Sequence, residues 1–210
     1  MEWDELLARE RSRYEDGEAR ADPEQLVRMG NAAYGAALAL LMLGRGEEAR
    51  EWLDRAAASW QESWEQATPT SWGRPIGALK AQLIAGHDEA IEVARWALEL
   101  GSATAESPIG RYAGCLALLT LGRWPEARHV AASLRERVDF PPAVADALAL
   151  IAAHDVVGYT EAVEAVLESF ETREEYLEDA PVADTVLALQ ALARKRGIEV
   201  ELPASPVLPA

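Results

Sequence analysis

A chain of 210 residues makes one large domain or two small ones, and with half of its residues hydrophobic it has enough apolar material for a core. A formal net charge of −16 argues against non-specific nucleic-acid binding, which needs Lys and Arg to neutralise phosphates, and against an anionic membrane surface, while permitting a basic partner. The single cysteine excludes an intramolecular disulfide and fits a reducing compartment; the acidic start and the lack of a long uninterrupted apolar run make a cytoplasmic protein the expectation.

Ala and Leu dominate the composition, which favours helix over strand. Residues 1–21 read as an amphipathic helix with Trp3, Leu6, Leu7 and Tyr14 on one side, placed to cap an open end. Asp22-Pro23-Glu24 is a helix start, Asp as N-cap and Pro at the first helical position, and the helix runs to Leu43. A tight turn at Gly44 leads into a second helix that continues past Trp60 to Trp64. Residues 68–73 form a loop, and the next pair runs from near Pro75 to Gly86 and from Asp88 to Leu100. Ser107-Pro108 repeats the cap-plus-proline start, and Trp124-Pro125 begins a helix ending near Val138. Helices over Ala143–Ala153 and, after a Gly158 turn, Thr160–Glu178 follow. The last of these carries eight acidic residues, Glu161 to Asp179, against a lone Arg173: a solvated face, or a docking face for a basic partner. Residues 180–197 read as a C-terminal capping helix closed by Gly197, and 198–210 as an extended proline-rich tail.

One pattern recurs. Leu41-Met42-Leu43-Gly44-Arg45-Gly46-Glu47-Glu48-Ala49-Arg50 returns as Leu119-Thr120-Leu121-Gly122-Arg123-Trp124-Pro125-Glu126-Ala127-Arg128, a shift of 78 residues that also carries Tyr34 onto Tyr112 and Leu38 onto Leu116. Turn glycines at 44, 86, 122 and 158 are spaced by 42, 36 and 36 residues, within the range of about 20–50 that marks stacked repeats. The Gly turn followed by Ala49 and Ala56, or by Ala90 and Ala97, resembles the tetratricopeptide repeat, in degenerate form, over about residues 23–170. The resemblance implies an all-α fold, a right-handed stack of antiparallel helix pairs with about ten helices, residues 22–179 forming the repeats. It says little about function.

Catalytic signatures are sparse. There is no phosphate loop, no nucleophile elbow, and no metal-ligand spacing among His87, His129 and His154, so neither a catalytic residue nor a metal or other cofactor is expected. Cys115 lies in an apolar helix and reads as a buried, inert thiol. A binding surface is easier to place. In tetratricopeptide-like stacks the first helix of each pair lines the concave groove, which puts Asn31, Tyr34, Arg74, Lys80, Arg111 and Tyr112 on or near that face, with Trp60, Trp64 and Trp72 along its rim. Tyr and Arg are residue types that anchor partners, although most inter-helix aromatics pack in cores.

These features point to a non-enzymatic module that binds a peptide or protein. Two other readings stay open. The run Ala188–Leu202 with Ser205-Pro206-Val207-Leu208-Pro209 is similar to the C-terminal pattern of the immunity-protein forty-nine family, which implies a toxin-neutralising role. An all-helical enzyme with a metal-assisted site is the other. Trp-rich edges also allow a homodimer.

Overall fold

The computed structural model describes residues 2–18 and 23–210. It is all-α, with ten α-helices and no strand among the described residues. In chain order these are α1 (Trp3–Glu18), α2 (Pro23–Met42), α3 (Gly46–Ser63), α4 (Gly73–Ala85), α5 (Ala90–Glu99), α6 (Pro108–Thr120), α7 (Trp124–Arg135), α8 (Pro142–Ala153), α9 (Val156–Glu171) and α10 (Asp184–Lys195). Each helix from α1 to α9 packs on the next, so the pairs α2/α3, α4/α5, α6/α7 and α8/α9 form a row. Residues 19–22, which include the expected Asp22 cap, lie outside the described residues.

The turns show why the row forms. After α2 the chain takes a left-handed step at Gly44 (φ 72°), and Arg45 N donates to Leu40 O at 2.9 Å. After α6, Gly122 (φ 68°) and the bond from Arg123 N to Leu118 O at 2.9 Å repeat that geometry in register with the 78-residue shift. Both close the orphan carbonyls of a helix end in the manner of a Schellman motif. The pairs Arg45–Glu48 and Arg123–Glu126 repeat in the same register on the following helices. The turn after α8 is a correction to the sequence expectation. His154 (φ 59°), not Gly158, takes the left-handed position, with Asp155 N donating to Leu150 O at 3.0 Å. Gly158 lies inside the first turn of α9, where Asp155 caps its amide at 3.0 Å.

Helices α2 and α6 are the enclosed ones. Every residue from Ala32 to Leu40 and from Tyr112 to Thr120 is buried. A helix apolar on all sides needs neighbours on all sides, and the alanines of α2 let those backbones come close. Two helix ends differ from expectation. The acidic helix stops at Glu171 instead of continuing to Glu178, because Glu171, Glu174 and Glu175 put like charges at a C-terminus whose dipole already disfavours anions. Likewise α7 stops at Arg135, leaving Val138 exposed.

The final helix is the main departure. Read from sequence as an end cap, α10 instead packs against α4, α6, α8 and α9. It therefore runs along the first-helix side of the pairs, with Val186, Ala188, Leu189, Leu192 and Ala193 buried. Gly197 ends it in a left-handed turn, and the tail folds back over it. Ile198 and Val207 are buried, Ala183 N donates to Val207 O at 2.8 Å, and Gln190 Nε2 donates to Val200 O at 3.3 Å. The three prolines of the tail cannot supply ladder donors, so it packs without becoming a strand.

Close packing across the pairs is testable at Gly77 of α4. A Cβ there would meet the Trp60 ring at 2.8 Å, whereas one at Gly46 would meet nothing within 4 Å. Gly77→Ala is expected to cost about 1–3 kcal/mol of unfolding free energy in urea titrations. Gly46→Ala is expected to be neutral or to add up to about 1 kcal/mol.

Candidate functional site

The side chain at the centre of the first-helix face is Asp184, at the start of α10. Its Oδ2 accepts from Tyr34 Oη of α2 at 3.1 Å and from Lys80 Nζ of α4 at 2.5 Å. Lys80 Nζ also donates to Thr185 Oγ1 at 3.1 Å. The Lys80 and Asp184 side chains are each 12% exposed, so this ion pair is largely out of water. A buried carboxylate is tolerated where each lone pair finds a donor, and Tyr34 and Lys80 supply two.

Tyr112 of α6, the repeat counterpart of Tyr34, reaches the same place. Its hydroxyl is buried, has no hydrogen-bond partner among the described residues, and packs its ring 5.4 Å from Phe140. Burial, and next the negative charge of Asp184, hold the hydroxyls of both tyrosines well above the ordinary phenol range. Two equivalent positions of the repeat thus meet at the head of one helix.

Beside this contact lies an open cleft of about 390 Å³. Asn31, Tyr34, Arg74 and Lys80 line it together with Trp60. Trp60 is wedged between α2 and α4: its Nε1 donates to Asn31 Oδ1 at 3.1 Å, and its ring stands 5.4 Å from that of Tyr34. The glycines Gly30 and Gly77 face the indole from either side, each too close to admit a Cβ. Arg74 donates from Nη1 to Ser63 O at 3.0 Å, and no carboxylate pairs with it among the described residues. Leu177, from the segment after α9, closes one wall.

Four of the six groove residues expected from sequence therefore share one cleft. The other two do not line it. Arg111 donates from Nε to Ala105 O at 2.9 Å and secures the loop before α6, while Tyr112 is buried under α10. Of the three rim tryptophans Trp60 lines the cleft. Trp64 and Trp72 stack against each other at 5.9 Å, with Trp96 at 6.0 Å from Trp64, in a cluster of their own. Asp184 escapes sequence reasoning because nothing local marks a residue that pairs with a lysine 104 positions earlier.

The segment between α9 and α10 bridges to the other end of the row. Arg13 of α1 pairs with Glu178 and with Glu10 at 2.6 Å, and Arg9 donates to Glu178 O at 2.7 Å. Glu10 is fully buried, and burial raises its carboxyl above the ordinary range despite the two arginines. Cys115 is buried too, with its Sγ 3.7 Å from Ala127 O and its thiol pushed up to about 12, so it is chemically quiet at neutral pH. Among the described residues no three His, Cys, Asp or Glu side chains converge to hold a metal ion.

No family model matches the chain, and neither a curated protein nor a solved structure was found to be similar to it.

Removing Lys80 leaves the Asp184 carboxylate buried beside Tyr34 without its cation. Lys80→Met is expected to destabilise the fold by about 3 kcal/mol, measured by urea unfolding. Lys80→Met/Asp184→Leu is expected to recover part of that loss, because no orphan charge remains. Equal losses for the two variants would mean that the pair is solvated.

Proposed function

We propose that this chain is a non-enzymatic binding protein of the cytoplasm whose partner, a peptide or protein segment, enters the cleft ringed by Tyr34, Trp60, Arg74 and Lys80. The observation that carries the reading is the composition of that cleft. In an acidic protein one cation without a carboxylate partner among the described residues, Arg74, stands at a concave place beside Asn31 and the largely buried Tyr34 and Trp60, while Lys80 is held by Asp184, and Arg in a concave site is a usual anchor of interfaces. A second support is that the chain's own amphipathic α10 lies along this side of the row, the arrangement that helix-in-groove recognition uses. The tetratricopeptide resemblance points the same way. Among the described residues no helix is long and apolar enough to cross a membrane.

A narrower reading is an immunity-type protein that neutralises a basic toxin. It is favoured by Glu161, Glu164 and Glu168 of α9, which are exposed at helical spacing and have no cationic partner within ion-pair distance among the described residues. The metal-assisted enzyme has no comparable support.

The cleft reading predicts a selective loss. A chemical cross-linking capture from lysate should recover one protein with the wild type and with Glu51→Arg on the exposed side of α3, and lose it with Arg74→Glu. Equal recovery with Arg74→Glu, at unchanged circular dichroism and melting temperature, would dismiss this cleft. Loss with Glu161→Arg/Glu164→Arg on α9, with recovery kept by Arg74→Glu, would favour the acidic docking face instead.

A further inference from the structure

The segment between α9 and α10, residues 172–183, packs on α2 and supplies part of the cleft wall. Its centre is a single 3-10 turn, Leu177–Asp179. Glu178 (φ 54°) and Asp179 (φ 53°) both stand in the left-handed region. Two successive non-glycine residues there are strained, and such strain persists only where the surroundings impose it.

The surroundings that impose it are few. From residue 173 to 181 no backbone–backbone hydrogen bond reaches another helix among the described residues. The turn is held by two side chains of α1. Arg13 pairs with the Glu178 carboxylate, Arg9 Nη2 donates to Glu178 O at 2.7 Å, and Arg9 Nη1 lies 3.5 Å from Asp179. The Arg9 and Arg13 side chains are 45% and 41% exposed, so water screens these pairs, and their hold is of the same order as the strain that it opposes.

Release of the turn orphans no buried charge. Glu10 keeps Arg9 at 2.7 Å and Arg13 at 2.6 Å, while Glu178 passes into water. Release also separates like charges, because both carboxylate side chains crowd Gly35 of α2: a Cβ there would meet Glu10 Cγ at 3.0 Å and Glu178 Cβ at 3.3 Å. The Lys80–Asp184 pair is the opposite case, since its separation strands a charge in the interior.

Leu177 gives the release a consequence. Its side chain is half exposed. It lines the cleft at Trp60 and also a smaller space of about 220 Å³ bounded by Leu38, Phe170 and Tyr176. Lys80 and Asp184 line both spaces too, so Leu177 is a partition standing over one ion pair.

We propose that residues 172–182 form a gate on the cleft. Closed, the turn is gripped by Arg9 and Arg13 and Leu177 divides the inner side. Open, the grip is released, the two left-handed residues relax, and the two spaces join above Lys80. What the gate admits rests on the binding reading above, whereas the opening itself is a property of the free chain and is tested there.

The test follows two rates in the intact protein. The buried Ala180, whose amide donates to Leu177 O at 3.1 Å, reports the turn by hydrogen exchange, and Leu189 of α10 reports global unfolding. Acetylation by an N-hydroxysuccinimide ester reports access to Lys80, with the exposed Lys195, the other lysine of the chain, as control. Ala180 should exchange faster than Leu189 and with little dependence on urea, as a local opening does. Glu178→Gln should speed Ala180 exchange and Lys80 acetylation by the same factor, about five-fold, and leave Leu189 and Lys195 unchanged. The gate is overturned if Ala180 shares the rate and urea dependence of Leu189, if it exchanges as an unprotected amide, or if Glu178→Gln leaves either rate at its wild-type value. Where the variant does not fold, the urea dependence of the wild type decides. A failed gate with partner capture still lost in Arg74→Glu removes the gate and keeps the cleft.

Discussion

The carboxylate of Asp184 holds the architecture at the point where it departs from a plain row of helix pairs. It brings the first turn of α10 onto the inner side and fixes it to two different pairs at once, to α2 through Tyr34 and to α4 through Lys80. A charge at this depth is costly by itself and acceptable only when partnered. The contact therefore specifies one docked position for α10 more than it adds net stability, since an apolar replacement of both partners could pack as well. Along the rest of α10 the buried stripe of Val186, Leu189 and Leu192 supplies the non-directional part of the attachment.

The row itself needs such a helix. In α2 and α6 the apolar positions run round the whole circumference, so the neighbouring pair covers one side and something else must cover the inner side. For α6 and α4 that cover is α10, and for α2 the segment around Leu177–Asp179 joins it. What is left open is the small cleft around Trp60 and Arg74 on one side of α10, and the tail-covered cavity on the other. The cleft around Trp60 and Arg74 thus takes its last wall from the return of the C-terminal segment across the row, through Leu177 and Asp184. The polar cluster of Glu10, Arg9, Arg13 and Glu178 makes that return continuous with α1.

How much of this could be read from the residues depends on the range of the interaction. Turn positions are set within four or five residues, so Gly44, Gly86 and Gly122 announce them, and the 78-residue shift foretells both the turn hydrogen bonds and the two equivalent tyrosines. Gly158 misleads because the left-handed position falls to His154, a residue type that adopts it at a cost the helix end repays. Helical phase counted back from the turns places Asn31, Tyr34, Arg74 and Lys80 on one side, and they do share a cleft. It also places Tyr112 there, and Tyr112 is covered, because an amphipathic terminal helix has the same pattern whether it closes an end or lies along a face. That choice is made by Lys80 and Asp184, 104 positions apart, and no local pattern encodes it.

Amide hydrogen exchange on the intact chain tests the docked position of α10 most directly. If α10 fills the inner side as described, amides from Val186 to Ala193 should exchange as slowly as those of Ala36 to Leu40 in α2, through the global unfolding reaction. Exchange in α10 that is faster by orders of magnitude than in α2, at the rate of a fraying end, would contradict the account and return α10 to the role of a terminal cap.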